Sequence, residues 1–186
     1  MKRVYLLMGK PGSGKTGLIK EVVAGLKIGA GGFYTEEIRS QGVRQGFRLV
    51  TLDGQEAVLA HINIHGPYRV SKYGVDIDTF DRIGVSALYR AAEQCDLIII
   101  DEIGKMELFS ASFRQAVSKM IDSGKHVLGT IMLSPNPWAD AIKRRPQVNL
   151  LTVIRANHQD VLAELSHWLE AINSFELGPA NNIQKK

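Results

Sequence analysis

The string Gly9-Lys10-Pro11-Gly12-Ser13-Gly14-Lys15-Thr16 sits directly behind a short apolar run, Val4 to Met8. It lies directly ahead of a run with helical character, Thr16 to Leu26. Few short stretches restrict a fold so tightly, because G-x-x-x-x-G-K-[ST] between a strand and a helix is the pattern of a loop that cradles phosphate. Glycines let the backbone curl until successive N–H groups point at phosphate oxygens. The N-terminus of the following helix adds unpaired N–H groups and partial positive charge. In this reading Gly9 to Thr16 binds nucleotide phosphates, with Lys15 reaching the β- and γ-phosphates and the Thr16 hydroxyl ligating Mg²⁺. A glycine-rich turn with an accidental lysine is the alternative, and the flanking strand and helix argue against it.

A phosphate loop of this kind needs a carboxylate to hold Mg²⁺, usually on a buried strand beside the first. Asp96-Leu97-Ile98-Ile99-Ile100-Asp101-Glu102 supplies one, since four apolar residues lead to Asp101 at the expected strand tip. Ligands of parallel sheets meet such tips. Asp101 is therefore the expected metal ligand. Glu102, beside it, is placed to polarise a water in line with the γ-phosphate, a role that hydrolysis requires and that transfer to another acceptor does not. Glu36, Glu37 and Arg39 alternate along a further strand-like stretch and are candidates to flank the same pocket, with the inward-facing members left open.

The 186 residues, 45% apolar and 23% charged, suit one globular domain with a full core. Cys95 is the single cysteine, which precludes an intrachain disulfide and fits a reducing compartment. The run after Met1-Lys2-Arg3 breaks at Gly9, too short for a signal peptide, and no stretch approaches a membrane span. The expectation is a soluble, cytoplasmic protein with no membrane partner. The net charge of +4 is small, and much of it lies in Lys143-Arg144-Arg145 and Lys185-Lys186. No basic run with interleaved aromatics favours nucleic acid as a partner. His61 and His65 lack the further ligands of a metal site. Trp138 reads as an anchor for a short helix, with stacking on a base as the alternative.

Further along, Gly29 to Gly32 reads as a flexible break before a strand from Phe33 to Arg39. Gly46–Leu52 and Glu56–Asn63 form a hairpin around Asp53-Gly54, and Arg69 to Val75 is extended. With no helices between them, these strands predict an antiparallel insertion on a mostly parallel sheet. From Asp78, a plausible N-cap, the pattern becomes alternating helix and strand. The helix stripes are Phe80, Ile83, Ala87 and Ala91, then Phe113, Val117 and Met120, the latter closed by Gly124. Strands follow at 127–132 and 150–154, separated by a short helix at 138–144. Asn157 caps a last helix with the stripe Val161, Leu162, Leu165, Trp168, Leu169 and Ile172. Residues 1–175 are expected to form one domain, and 176–186 a flexible tail.

The strings Gly9–Thr16, Gly32-Phe33-Tyr34-Thr35-Glu36-Glu37-Ile38-Arg39 and Lys72-Tyr73-Gly74-Val75 occur here in order. Asp101-Glu102-Ile103-Gly104-Lys105-Met106-Glu107-Leu108 and Val127-Leu128-Gly129-Thr130-Ile131 follow them. Together they resemble the thermophile-type nucleoside-triphosphatase family, whose human relative is called cancer-related nucleoside-triphosphatase, over roughly residues 2 to 170. The resemblance implies an α/β P-loop NTPase of RecA-like type, with helices flanking the sheet. It also implies slow, Mg²⁺-dependent hydrolysis of ATP, GTP and other nucleoside triphosphates. It further implies that Ile99, Ile100, Asp101, Glu102, Ile103 and Gly104 line the nucleotide. Lys105 and Glu107 match the family string, either facing the γ-phosphate or salt-bridged at a helix start. Departures from the family pattern are Gly17, Ser71 and His158 after Asn157, the last leaving Arg155 as the substitute for an arginine. A nucleotide or nucleoside kinase and a nucleotide-dependent RNA-associated switch stand as alternatives. Arg144 and Arg145 are either lid arginines over the phosphates or a solvated basic face.

Overall fold

The computed structural model of the protein describes residues 2–25 and 29–176. Its first unit is strand β1 (Val4–Met8), the phosphate-type loop and helix α1 (Lys15–Ala24). Strands β2 (Ala30–Ser40), β3 (Val43–Thr51), β4 (Glu56–His61), β5 (Arg69–Val70) and β6 (Tyr73–Val75) follow without intervening helices. Helix α2 (Ile77–Phe80) runs through a π turn into α3 (Ser86–Gln94), and β7 (Leu97–Ile103) follows. The chain then alternates α4 (Ala111–Asp122), β8 (His126–Ile131), α5 (Pro137–Lys143), β9 (Val148–Thr152) and α6 (His158–Glu176). The tail expected over 176–186 lies outside the described residues except for Glu176, the last residue of α6.

All nine strands among the described residues join one sheet in the order β5-β6-β4-β3-β2-β7-β8-β1-β9. The half β2-β7-β8-β1-β9 is parallel, and β3, β4, β6 and β5 extend it antiparallel. This is the predicted parallel sheet with an antiparallel insertion. Strand β2 belongs to both halves: residues 30–33 pair parallel with β7, and residues 33–40 pair antiparallel with β3.

Period-two alternation sorts the parallel strands between two cores. Val4, Leu6, Ile98 and Ile100 face Leu88 and Ala91 of α3, Phe113, Val117 and Met120 of α4, and Ile142 of α5. Tyr5, Leu7, Leu97, Ile99 and Leu128 face Leu18 and Ile19 of α1 and the predicted α6 stripe. Burial on both faces is why β7 is continuously apolar up to Asp101. The Phe33, Phe80 and Phe113 rings meet at 5.2–6.2 Å, joining β2, α2 and α4. Trp138 packs against the first core, as an anchor would.

Four local readings are corrected. The expected break at 29–32 runs into β2, because Gly31 and Gly32 are strand residues packed too closely for side chains. A Cβ on Gly32 would lie 2.1 Å from the Ile99 carbonyl oxygen, and one on Gly31 would lie 2.7 Å from Ala91. The cap of α2 is Asp76, whose carboxylate accepts the Thr79 N–H at 2.9 Å; Asp78 falls inside the helix. Asn157 does not cap α6 with its side chain but folds back, accepting from Ile154 N at 2.9 Å and donating to Thr152 O at 2.8 Å. Finally, β7 does not lie beside β1, because β8 runs between them. Strand neighbours depend on how crossovers pack, which local patterning does not encode.

Gly32 has φ +108° as well as its contact with β7. Gly32→Ala is expected to destabilise the fold by about 3 kcal/mol or more, since strain and overlap add at a buried sheet position. Urea unfolding measures this, and Gly42→Ala, at an open turn, serves as the control for positive φ alone.

Candidate functional site

The loop after β1 turns through Gly12 (φ +75°) and Gly14 (φ +92°), conformations that favour glycine. Gly9 is fixed by crowding instead, since a Cβ there would lie 2.4 Å from the Val153 carbonyl oxygen. Lys10, Pro11, Gly12 and Gly14 are exposed around the bend, and Ser13 N donates to Lys10 O at 3.1 Å. Lys15 curls back so that Nζ donates to the Gly9 and Lys10 carbonyls at 3.0 and 3.1 Å. The ammonium is thus held at the start of the loop, against its carbonyl oxygens. Ser13 Oγ is buried there without a hydrogen-bond partner.

Asp101, at the tip of β7, is 1% exposed. Its Oδ1 accepts the Thr130 hydroxyl of β8 at 2.6 Å, and its Oδ2 is buried with no partner. Burial raises its pKa, while the Thr130 and Thr16 hydroxyls and the Lys15 charge oppose that rise. An unpartnered buried carboxylate oxygen beside a threonine hydroxyl is costly in isolation. It fits a hard divalent cation bound through oxygen ligands. Asp101 and Thr16 are thus the residues able to hold Mg²⁺.

Glu102 makes no hydrogen bond or ion pair with the described residues. Its pKa is raised, by burial first and then by the Asp101 charge, with Lys15 opposing. Such a carboxylate is a stronger base than an ordinary glutamate. Glu107 is 4% exposed and accepts the Gly104 N–H at 3.2 Å. A Cβ on Gly104 would meet the Glu107 carboxylate at 3.0 Å and the Glu102 carboxylate at 3.2 Å, so the two carboxyls flank this glycine. Burial, then the Glu102 charge, pushes Glu107 up to about 8.

A cleft of about 730 Å³ joins Lys15, Thr16, Glu102, Gly104, Lys105 and Glu107, and continues over the antiparallel insertion. Glu36 and Glu37 also line it, but as ion pairs. Glu36 accepts Lys20 and Arg48, each at 2.5 Å, and Glu37 pairs with Arg39 at 2.5 Å and Arg44 at 2.7 Å. Lys20 holds Glu36 below the usual carboxylate range and Arg44 does the same for Glu37, so neither matches Glu102 as a base. Arg39 belongs to a side cleft with Ser71 and Tyr73. Ile99, Ile100 and Ile103 are wholly buried in the sheet, and place Asp101 and Glu102 without being exposed themselves.

Arg144 and Arg145 are not brought to this site. They precede β9, at the end of the sheet remote from the strand tips, and Arg145 pairs with Asp122 of α4 at 3.0 Å. Thr130, Lys20 and Arg44 escaped the sequence reading as site residues. Thr130 had a signal, a lone hydroxyl in the apolar run Val127–Ile131. Lys20 lies one helical turn past Thr16, on the same face. Arg44 shows none, since it reaches the cleft only through the insertion. Among the described residues no three His, Cys, Asp or Glu side chains cluster as a metal site, and His61 accepts Asn63 N locally.

A phosphate-type loop at the tip of β1, with an acid pair two strands away on the same sheet edge, defines a P-loop protein that acts on nucleoside triphosphates. The chain belongs to the NTPase family, whose sequence profile matches residues 4–166. It is 48% identical over 160 residues to nucleoside-triphosphatase THEP1 of Thermotoga sp. (strain RQ2), covering 86% of this chain and 91% of that one. It is 36% identical to the human cancer-related nucleoside-triphosphatase, covering 89% and 95%. The crystal structure of THEP1 from Aquifex aeolicus superposes with a TM-score of 0.83 at 35% identity, over 90% of this chain and 99% of that one.

In the folded protein Glu107 keeps its proton from pH 4.5, the unfolded value, up to about 8. The folded state binds more protons than the unfolded one in that window, so stability falls as pH rises through it, by up to ~1.4 kcal/mol per pH unit. Glu107→Gln, which keeps an oxygen for Gly104 N, is expected to flatten this slope, although the Asp101 and Glu102 carboxyls retain theirs. Melting temperature against pH compares the two proteins.

Proposed function

We propose that the protein is a Mg²⁺-dependent nucleoside triphosphatase of the cytoplasm, hydrolysing ATP, GTP and other nucleoside triphosphates to the diphosphate and phosphate at low turnover. The observation that carries this reading is the acid pair at the tip of β7, with Asp101 Oδ2 buried and unpartnered beside Thr16 and Glu102 open to the cleft. The loop N–H groups, Ser13 and Lys15 bind the β- and γ-phosphates, and Lys15 neutralises charge as the leaving oxygen develops it. Asp101 and Thr16 would hold Mg²⁺, which would supply positive charge to offset the charge of the triphosphate. Glu102 accepts the proton of a water attacking the γ-phosphorus. Arg44 is committed to Glu37 and the Tyr73 hydroxyl, whereas Arg155, exposed in the short turn after β9, makes no hydrogen bond or ion pair with the described residues. Turnover on the order of 10⁻² s⁻¹ or below is expected, because neither arginine is committed to the phosphates.

A second reading has one observation in its favour. The cleft runs past Glu102 to Thr35, Arg44, Phe47 and Leu59, leaving room for a small phosphoryl acceptor. Phosphate release from ATP, GTP, CTP and UTP without any acceptor tests the hydrolase directly. Release that appears only on adding a nucleoside or nucleotide acceptor selects the kinase.

Lys15→Ala is expected to abolish turnover and to weaken triphosphate binding, through loss of charge-assisted hydrogen bonds worth roughly 1.5–3 kcal/mol each. Glu102→Gln should keep ATP and Mg²⁺ affinity within about threefold while phosphate release falls about 10²-fold or more. Asp101→Asn differs in raising the Mg²⁺ concentration needed for half-maximal rate. Normal hydrolysis by Glu102→Gln would move the base elsewhere, with Glu107 the next candidate.

A further inference from the structure

A second cleft, of about 550 Å³, opens on the antiparallel insertion, with Arg39, Lys72 and Tyr73 in its lining. Arg44, Phe47, Val70 and Met106 line both this cleft and the one that holds Glu102, so the two meet along a shared wall. Two of its cations lean on one acid. Glu37 accepts Arg39 at 2.5 Å and Arg44 at 2.7 Å. Arg44 Nε donates to the Tyr73 hydroxyl at 3.1 Å, while its Nη2 has no hydrogen-bond partner among the described residues. Lys72 forms no ion pair with them either, and its ammonium lies 5.5 Å from the centre of the Tyr73 ring. Ser71 and Lys72 make the two-residue turn between β5 and β6. Arg69 clamps that turn by donating to the Ile64 and Lys72 carbonyls at 3.3 and 3.0 Å.

We propose that this side cleft binds a small phosphate monoester next to the triphosphate site. Three cations against the one carboxylate paired with them leave two positive charges uncompensated. A phosphate monoester carries about −1.5 to −2 at neutral pH, which matches that surplus. Arg44 Nη2 and the Lys72 ammonium are the uncommitted donors, and hydrogen bonds from such cations to phosphate oxygens are the strong ones. Phe47, Val70 and Met106 then offer the organic part of the ester an apolar wall leading toward the main cleft. The cations converge on one concavity instead of running along a strip. That suits a single phosphoryl group better than a polynucleotide backbone.

The test keeps the phosphate loop occupied, so that only the side cleft is measured. Protein saturated with Mg²⁺ and the β,γ-imido analogue of ATP is titrated calorimetrically with AMP, ribose 5-phosphate and adenosine. Both esters should bind at one site per chain, and adenosine at least about tenfold more weakly than AMP. Lys72→Glu, at an exposed turn, should weaken both esters by about tenfold or more, and Arg39→Ala by about threefold. Affinity for the imido analogue should stay within about twofold of wild type in both variants. Arg144→Glu makes the same change in net charge toward the opposite edge of the sheet, and should leave ester binding unaltered. Absence of ester binding to the saturated wild-type protein overturns the assignment. So does adenosine binding as tightly as AMP, or an equal loss in Lys72→Glu and Arg144→Glu. Failure of the imido analogue to bind counts against the triphosphatase reading instead, and the same titrations into the free protein then decide the side cleft.

Discussion

Burial of the parallel strands on both faces is the constraint on which the rest of the structure depends. A strand such as β7, apolar at 97 to 100 and covered above and below, cannot meet water along its length. Its polar chemistry is displaced to its tip, where Asp101 and Glu102 stand. The same holds for β1, whose tip becomes the glycine loop, and for β8, whose Thr130 reaches Asp101. One physical requirement thus collects three functional ends on one edge of the sheet.

Close backbone approach keeps those ends in register. Gly32 and Gly129 each lie where a Cβ would enter a neighbouring strand's carbonyl, and Gly9 meets Val153 in the same way. Glycine at these places lets strands and loops approach at contact distance, fixing β2 and β8 against β7 and the phosphate loop against the chain leaving β9. The insertion is tied to this frame by Lys20, which reaches from α1 to Glu36 and lies 4.0 Å from the centre of the Tyr34 ring. A partly exposed pair of this kind contributes little to stability. Its consequence is positional, because the helix that starts at Lys15 and the strand that walls the cleft are held together.

Electrostatically the site divides in two. Glu36 and Glu37 have cationic partners that hold them ionised, whereas Asp101, Glu102 and Glu107 have hydroxyl or N–H donors, or none. Their raised pKa values come first from burial and then, for Glu102 and Glu107, from neighbouring carboxylate charge, with Lys15 opposing at Asp101 and Glu102. A divalent cation at the strand tip would offset that carboxylate charge, and Glu102 remains the carboxylate with neither partner nor fixed contact.

The glycine loop, the acid pair, the antiparallel insertion and the two-sided core were legible in the sequence because each rests on local spacing. Loop curvature needs glycines at set intervals, and a strand buried on both faces needs an unbroken apolar run. The roles of Glu36, Glu37, Arg144 and Arg145 were not legible, because a charged residue's partners are chosen across the fold. Arg145 meets Asp122, and Arg44 meets Glu37 and Tyr73, through contacts no periodicity announces. Likewise Gly32 reads as a break until β7 is seen beside it. By itself the sequence determined which residues can bind phosphate and end a buried strand, since those depend on backbone freedom and hydrophobic period. Only the tertiary structure decided that β8 separates β1 from β7 and that Thr130 holds Asp101. It also decided that the chain leaving β9 walls the loop, because strand order follows from how the helices pack between distant segments.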